Sequence, residues 1–256
     1  MSEARGAVPG ALALVGSGEY LPQMREVDRL LLATRGGSAG SRVAVIPTAS
    51  GLEPGMPERW NGMGAAHFQE LGTVVTPVPL IGRADAEDSR IVDMLRGADL
   101  FYFSGGNPEY VIETLRGTPA WETIRAGFHA GAVLAGCSAG AMMLGGYTLS
   151  VRSVMRGQPP RWLPGLALVP HLVIMPHFDR VADFAGAEVF RAILAAAPRD
   201  ATLVGVDEDT ALVRMPGAAQ WRVLGRQTVS VFEGAGRRTI YHPGEDVPIS
   251  TQLGIG

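Results

Sequence analysis

The sequence predicts an α/β protein built on a doubly wound, mostly parallel sheet, with antiparallel strands toward its C-terminal edge. Three observations carry this expectation. Short apolar or β-branched runs alternate with helix-period segments through the first two thirds of the chain, the pattern of βαβ units. Glycines cluster directly after the apolar runs, where tight strand-to-helix turns need them. Beyond about residue 200 the texture changes to strand-like runs split by Gly and Pro, which short antiparallel connections serve.

In chain order, the apolar runs at 11–15, 42–46, 73–78, 100–103, 132–135 and 171–175 are the candidate parallel strands. Between them Met24, Val27, Leu30 and Leu31 recur at helical spacing, as do Ile91, Met94 and Leu95, so those segments should bury one face on the sheet. A further helix is expected over 181–197, ending before Pro198. The runs 202–206, 211–215, 221–224, 228–232 and 239–242 are the expected antiparallel strands. Residues 152–164, with two adjacent prolines, are expected to form a long loop.

Composition bounds the function. The chain has 256 residues, 46% hydrophobic and 18% charged, which suits one soluble globular domain with a full core. All 22 basic residues are arginine, so a lysine Schiff base and a G-K-[ST] phosphate loop are excluded. A net charge of −3 without an Arg-rich run argues against nucleic acid or a membrane surface as partner. The single cysteine, Cys137, excludes an internal disulfide. The apolar run 11–15 is too short for a signal-peptide core or a membrane span, and a cytoplasmic location is expected. Zinc-ligand spacings are absent, and Gly16-Ser17-Gly18 lacks the third glycine of a dinucleotide fingerprint. No metal or organic cofactor is expected, and a homodimer is compatible with the composition.

The strongest motif is Gly136-Cys137-Ser138-Ala139-Gly140, a G-x-S-x-G after a buried run and before helix-forming residues. A serine at such a turn is held in a strained conformation with its hydroxyl exposed. The bland reading is a Gly-rich turn with an incidental serine; the strand before it and the helix after it favour a nucleophile. Cys137 is read as a small buried hydrophobe, because the elbow presents its central residue.

A serine nucleophile needs a base, and the base an orienting acid. His67 and His129 lie in amphipathic helical segments and read as surface or half-buried, and His171 opens a strand. His177 follows an apolar run and Pro176, at a strand end where parallel-sheet proteins place their chemistry. No Asp or Glu occurs from 123 to 178, so the acid comes later, and Asp207, Glu208 and Asp209 at the end of another apolar run are all candidates. Ser104-Gly105-Gly106-Asn107-Pro108 reads as a capped helix start or as an oxyanion-binding Gly–Gly strap acting with the Ala139 N–H.

These motifs in this order resemble the serine peptidases that include cyanophycinase and dipeptidase E, whose fold is like that of class I glutamine amidotransferases. The residues that match are Ser104-Gly105-Gly106-Asn107, Gly136 to Ala141, Pro176-His177-Phe178 and Asp207 to Ala211. The resemblance implies a flavodoxin-like fold, a Ser138 nucleophile, His177 as base, Glu208 as its partner, and Gly106 and Ala139 as oxyanion donors. It departs from cyanophycinases after His177, where Phe178-Asp179-Arg180 replaces a basic stretch that grips the polymer.

The expected activity is therefore hydrolysis of an amide bond in a small peptide through an acyl-enzyme. Asn107, Arg180 and Arg156 are the candidate substrate contacts; the acid-free stretch with Arg125, Arg152, Arg156 and Arg161 favours an anionic substrate. One rival is an α/β-hydrolase-type esterase using Ser138 and His242. The other is a ligand-binding protein on the same fold without turnover.

Overall fold

The computed structural model describes residues 8–233 and 237–254. The first half is a doubly wound unit. Strands β1 (Leu12–Val15), β2 (Arg42–Ile46), β3 (Val74–Pro77), β4 (Leu100–Phe103) and β5 (Val133–Cys137) pair in parallel in the order β1-β5-β4-β2-β3. Alternate strand residues face opposite layers. Ala13, Val15, Val43, Val45 and Tyr102 pack on helices α1 (Arg25–Ala33) and α2 (Met56–Glu70) through Val27, Leu31 and Phe68. Leu12, Leu14, Phe101 and Phe103 face the other way. They meet α3 (Arg83–Glu87), α4 (Ser89–Leu95), α5 (Pro108–Leu115) and α6 (Pro119–His129) through residues such as Leu95, Val111 and Trp121.

After β5 come the one-turn helix α7 (Ala139–Met142), β6 (Gly145–Leu149), α8 (Val151–Met155), β7 (Trp162–Pro164) and β8 (Val169–Met175). Helices α9 (Phe178–Ala185) and α10 (Ala187–Ala195) lead to β9 (Thr202–Val206), β10 (Thr210–Arg214), β11 (Trp221–Gly225), β12 (Val229–Glu233), β13 (Arg237–Tyr241) and β14 (Asp246–Val247). Strands β10, β11 and β14 add antiparallel to β1 and complete one sheet. The others form a second sheet, ordered β13-β12-β9-β8-β6-β7, in which β6, β8 and β9 are parallel. One face of this second sheet, carrying Leu172, Ile174, Val204 and Val231, joins the core of the first. Its other face, carrying Val173, Met175 and Leu203, is covered by Val154 of α8, Phe178 of α9 and Ile193 of α10.

Four expectations change. The run ending before His177 is an interior strand of the second sheet, not one of the parallel strands of the first. The segment 152–164 is not one loop: Ser150 caps α8 through Ser153 N–H, and β7 pairs antiparallel with β6. The helix expected over 181–197 is two helices, broken at Gly186, whose φ of 81° leaves the helical region. His67 is not a surface residue: it is 4% exposed and its Nε2 lies 2.7 Å from Asp28 Oδ2. Burial alone raises the Asp28 carboxyl above its ordinary range, with His67 pulling it back.

Candidate active site

The C-terminal end of β5 delivers Ser138. Its backbone sits at φ 52° and ψ −115°, a region that costs a non-glycine residue of order 1–3 kcal/mol. The flanking glycines are demanded by contact. A Cβ on Gly136 would lie 2.2 Å from Gly140 O, and one on Gly140 would lie 2.8 Å from Phe103 O. Side chains at either place would force the turn open.

The second sheet supplies the partner groups. His177 follows β8 with φ 50°, and its Nε2 lies 3.0 Å from Ser138 Oγ. On the other side of the ring, Nδ1 lies 2.9 Å from Glu208 Oε1. Glu208 sits in the three-residue connection between β9 and β10. Its backbone N–H donates to Asp179 Oδ1 at 2.9 Å, and its carbonyl accepts from Gln227 Nε2 at 3.0 Å. The neighbouring acids are used elsewhere. Asp207 Oδ2 accepts from Thr228 N–H and Oγ1–H at 3.0 and 2.6 Å, and Asp209 accepts from Gln23 Nε2. Of the three candidate acids, Glu208 is the one placed against the imidazole.

The Gly–Gly strap follows β4. Gly106 has φ 146°, and a Cβ there would lie 2.3 Å from the Ala49 carbonyl, so only glycine fits. Asn107 Oδ1 caps α5 by accepting from Tyr110 N–H at 3.0 Å, and Asn107 N–H donates to Ala49 O at 2.7 Å. Asn107 is thus a cap that shapes the strap. Among the described residues, neither the Gly106 N–H nor the Ala139 N–H donates to a protein acceptor. Because α7 is a single turn, the donor there is the free Ala139 N–H rather than a long helix dipole.

Cys137 is fully buried and its Sγ donates to Glu19 Oε2 at 2.9 Å. Burial, with the Glu19 charge adding to it, pushes the thiol well above its ordinary range, which removes the thiolate that a cysteine nucleophile needs. Arg180 has its Nε 3.9 Å from Glu208 Oε2 on a half-exposed side chain. Arg156, the C-cap of α8, is exposed, whereas Arg125 is paired with Glu122 on α6. His242 follows an edge strand of the second sheet, with its N–H donating to Glu245 Oε2.

Two acids that the sequence reading passed over are tied to this region. Glu109 is 8% exposed, and its Oε1 accepts from Ser150 Oγ–H at 3.0 Å and from Arg152 N–H at 3.2 Å, binding α5 to the start of α8. Glu19 accepts from the Gly105 N–H. The available signal was an acid within three residues of a Gly-rich strand end in both cases, Gly16-Ser17-Gly18-Glu19 and Gly105-Gly106-Asn107-Pro108-Glu109.

Comparison with known proteins identifies the family. Residues 12–220 match the sequence model of Peptidase family S51. The chain is 28% identical over 238 residues to the cyanophycinase of Nostoc sp. and to that of Trichormus variabilis, covering 89% of this chain and 74% of each of theirs. A crystal structure of a peptidase from an acI-B1 Actinobacterium superposes with a TM-score of 0.85 at 33% identity, over 94% of this chain and 98% of that one. The chain belongs to peptidase family S51 and is a serine-type peptidase.

Proposed function

We propose that Ser138 attacks the carbonyl carbon of a scissile peptide bond in a small acidic peptide, forming an acyl-enzyme. The observation that carries this reading is the relay of 3.0 Å from Ser138 Oγ to His177 Nε2 and 2.9 Å from His177 Nδ1 to Glu208 Oε1. As the new C–O bond forms, the Ser138 proton passes to His177 Nε2. The Gly106 and Ala139 N–H groups receive the oxyanion. Collapse of the tetrahedral species breaks the C–N bond, and His177 returns the proton to the leaving amine. Water then adds to the ester with His177 again as base, releasing the acid and regenerating Ser138. Glu208 accepts from Nδ1–H throughout, which keeps Nε2 free to take the proton.

The preference for an acidic peptide rests on charge. Arg180 lies beside the base with its side chain half exposed, and Arg156 is exposed at the end of α8; a guanidinium can grip a substrate carboxylate bidentately. Fluorophosphonate labelling with peptide mapping tests the nucleophile. Modification at Ser138 is expected, and an unlabelled protein would favour ligand binding without turnover. The substrate class is tested by kcat/KM for Asp-X and neutral dipeptides at low and high salt. An excess for Asp-X that shrinks with salt and in Arg180→Ala is expected, and equal, salt-insensitive turnover would remove the acidic preference.

A further inference from the structure

A carboxyl group that the proposed mechanism does not use lies behind the nucleophile turn. Glu19 follows β1 and is 7% exposed. Its two oxygens serve two different segments. Oε1 accepts from the Gly105 N–H at 2.9 Å, and Oε2 accepts from the Cys137 thiol at 2.9 Å. Gly105 immediately precedes Gly106, and Cys137 stands two residues before Ala139. The carboxyl therefore touches both arms from which the proposed oxyanion donors project. The arms also lie close together, since a Cβ added at Gly105 would fall 3.2 Å from Ser138 Cβ.

We infer that Glu19 is a positioning residue, a clamp that sets the separation between the Gly106 N–H on the strap and the Ala139 N–H on the nucleophile turn. The inference rests on the reading of Ser138 as nucleophile. Its physical basis is that strap and turn leave different strands, β4 and β5, whose direct pairing ends at Phe103 and Gly136. The turn is held on its other side, where Cys137 pairs with Val15 of β1, so strap and turn have no ladder contact with each other. The far side of the strap is pinned by the bond from Asn107 N–H to Ala49 O at 2.7 Å. Glu19 pins the near side, leaving the Gly106 peptide suspended between two fixed points. Cys137 acts as donor in this arrangement, as a thiol kept protonated by burial can. Oxyanion donors stabilise a transition state only when already placed for it, so loosening the clamp should lower kcat without weakening ground-state binding.

The test compares Glu19→Gln with Glu19→Asp, reading kcat, KM, Tm and the Ki of a peptidyl trifluoromethyl ketone, which forms an oxyanionic hemiketal with a serine. Glutamine keeps the acceptor for the Gly105 N–H at the same reach but loses the second acceptor, its amide N–H meeting the Cys137 sulfur only as a weak acceptor, so kcat should fall less than about tenfold. Aspartate, one methylene shorter, should lower it about 10–100-fold and more than glutamine does. In the aspartate variant KM should change little and Ki should rise in step with the loss of kcat/KM. A purely structural role would move Tm and leave Ki unchanged. Wild-type kcat and Ki in Glu19→Asp, or equal loss in Glu19→Gln, would overturn the clamp. Amide hydrogen exchange of the wild-type protein supplies a check independent of any variant's folding. The Gly105 amide should be strongly protected, and exchange at the rate of an open loop would also overturn it. An inactive Ser138→Ala beside a fully active Glu19→Asp removes the clamp alone; an active Ser138→Ala removes the nucleophile reading itself.

Discussion

Gly205→Ala should impair the enzyme from a buried position inside the second sheet. Gly205 lies in β9, opposite Met175 of β8 and Ser230 of β12. A Cβ there would fall 2.2, 2.4 and 2.6 Å from three ring carbons of Phe178. Carbon atoms rest at about 3.5–4.0 Å, so the ring must retreat by more than ~1 Å. It has little room. Phe190 and Phe232 pack edge-on against it at 5.6 and 5.5 Å between centroids, and the Arg238 guanidinium lies 5.3 Å from its centroid. The displacement passes to His177, the adjacent residue, whose Nε2 lies 3.0 Å from Ser138 Oγ. Overpacking costs about 1–3 kcal/mol, and the stiffer unfolded chain returns about 0.4–1 kcal/mol. A net loss of about 1–2 kcal/mol lowers Tm by roughly 2–8 °C in a chain of this size. A shift of about 1 Å at a catalytic group costs on the order of 100-fold in kcat. Dipeptide hydrolysis and calorimetry measure both effects, and Phe178→Leu in the same chain should restore part of each. Wild-type kcat and Tm in Gly205→Ala would refute the argument that the Phe178 ring locks the position of His177.

Ser138→Ala should fold normally and lose hydrolysis by about 10³–10⁶-fold, while Cys137→Ala should stay within about tenfold of wild type; the opposite pattern, read in the same assay, would move the nucleophile to the cysteine. His177→Ala should match the serine variant because the two act as a unit, with Glu208→Gln leaving more residual rate. His242→Ala should be silent, and loss of activity there with retention in His177→Ala would support the esterase geometry. The Asp28 carboxyl, raised by burial, contributes stability that is present below its unfolded value of about 3.9 and lost as pH rises through its folded value. Urea melts from pH 4 to 7 should therefore show wild-type stability falling relative to Asp28→Asn; a rising difference would contradict the sign.

Local sequence carried much of this site because each candidate group follows an apolar run: Ser138 after β5, His177 after β8 and Glu208 after β9. The choice among Asp207, Glu208 and Asp209 was illegible from the residues alone. It depends on how the bend between β9 and β10 turns, and Asp209 takes a φ of 53° there. The second sheet was equally hidden, since a β-α alternation reads the same whether the next strand joins the old sheet or starts another. His67 misleads because its helix is amphipathic, yet a buried acid on a neighbouring helix turns the ring inward. Gly186 looked tolerable inside a helical pattern and instead ends one helix and begins another.

The division of labour between the two sheets makes hydrolysis a gauge of their docking. The proposed nucleophile and strap ride on one sheet, the proposed base on the other, and its proposed acid sits in the three residues where the chain crosses between them. A tilt of one sheet against the other stretches the contact between serine and imidazole while leaving each half internally intact. Substitutions deep in the shared wall, such as those of Leu172 or Val204, can then silence the enzyme with little change in spectroscopic fold. Conversely, an acyl group held by the strap and touching the imidazole would staple the halves together, so the covalent intermediate should be the most rigid form of the protein.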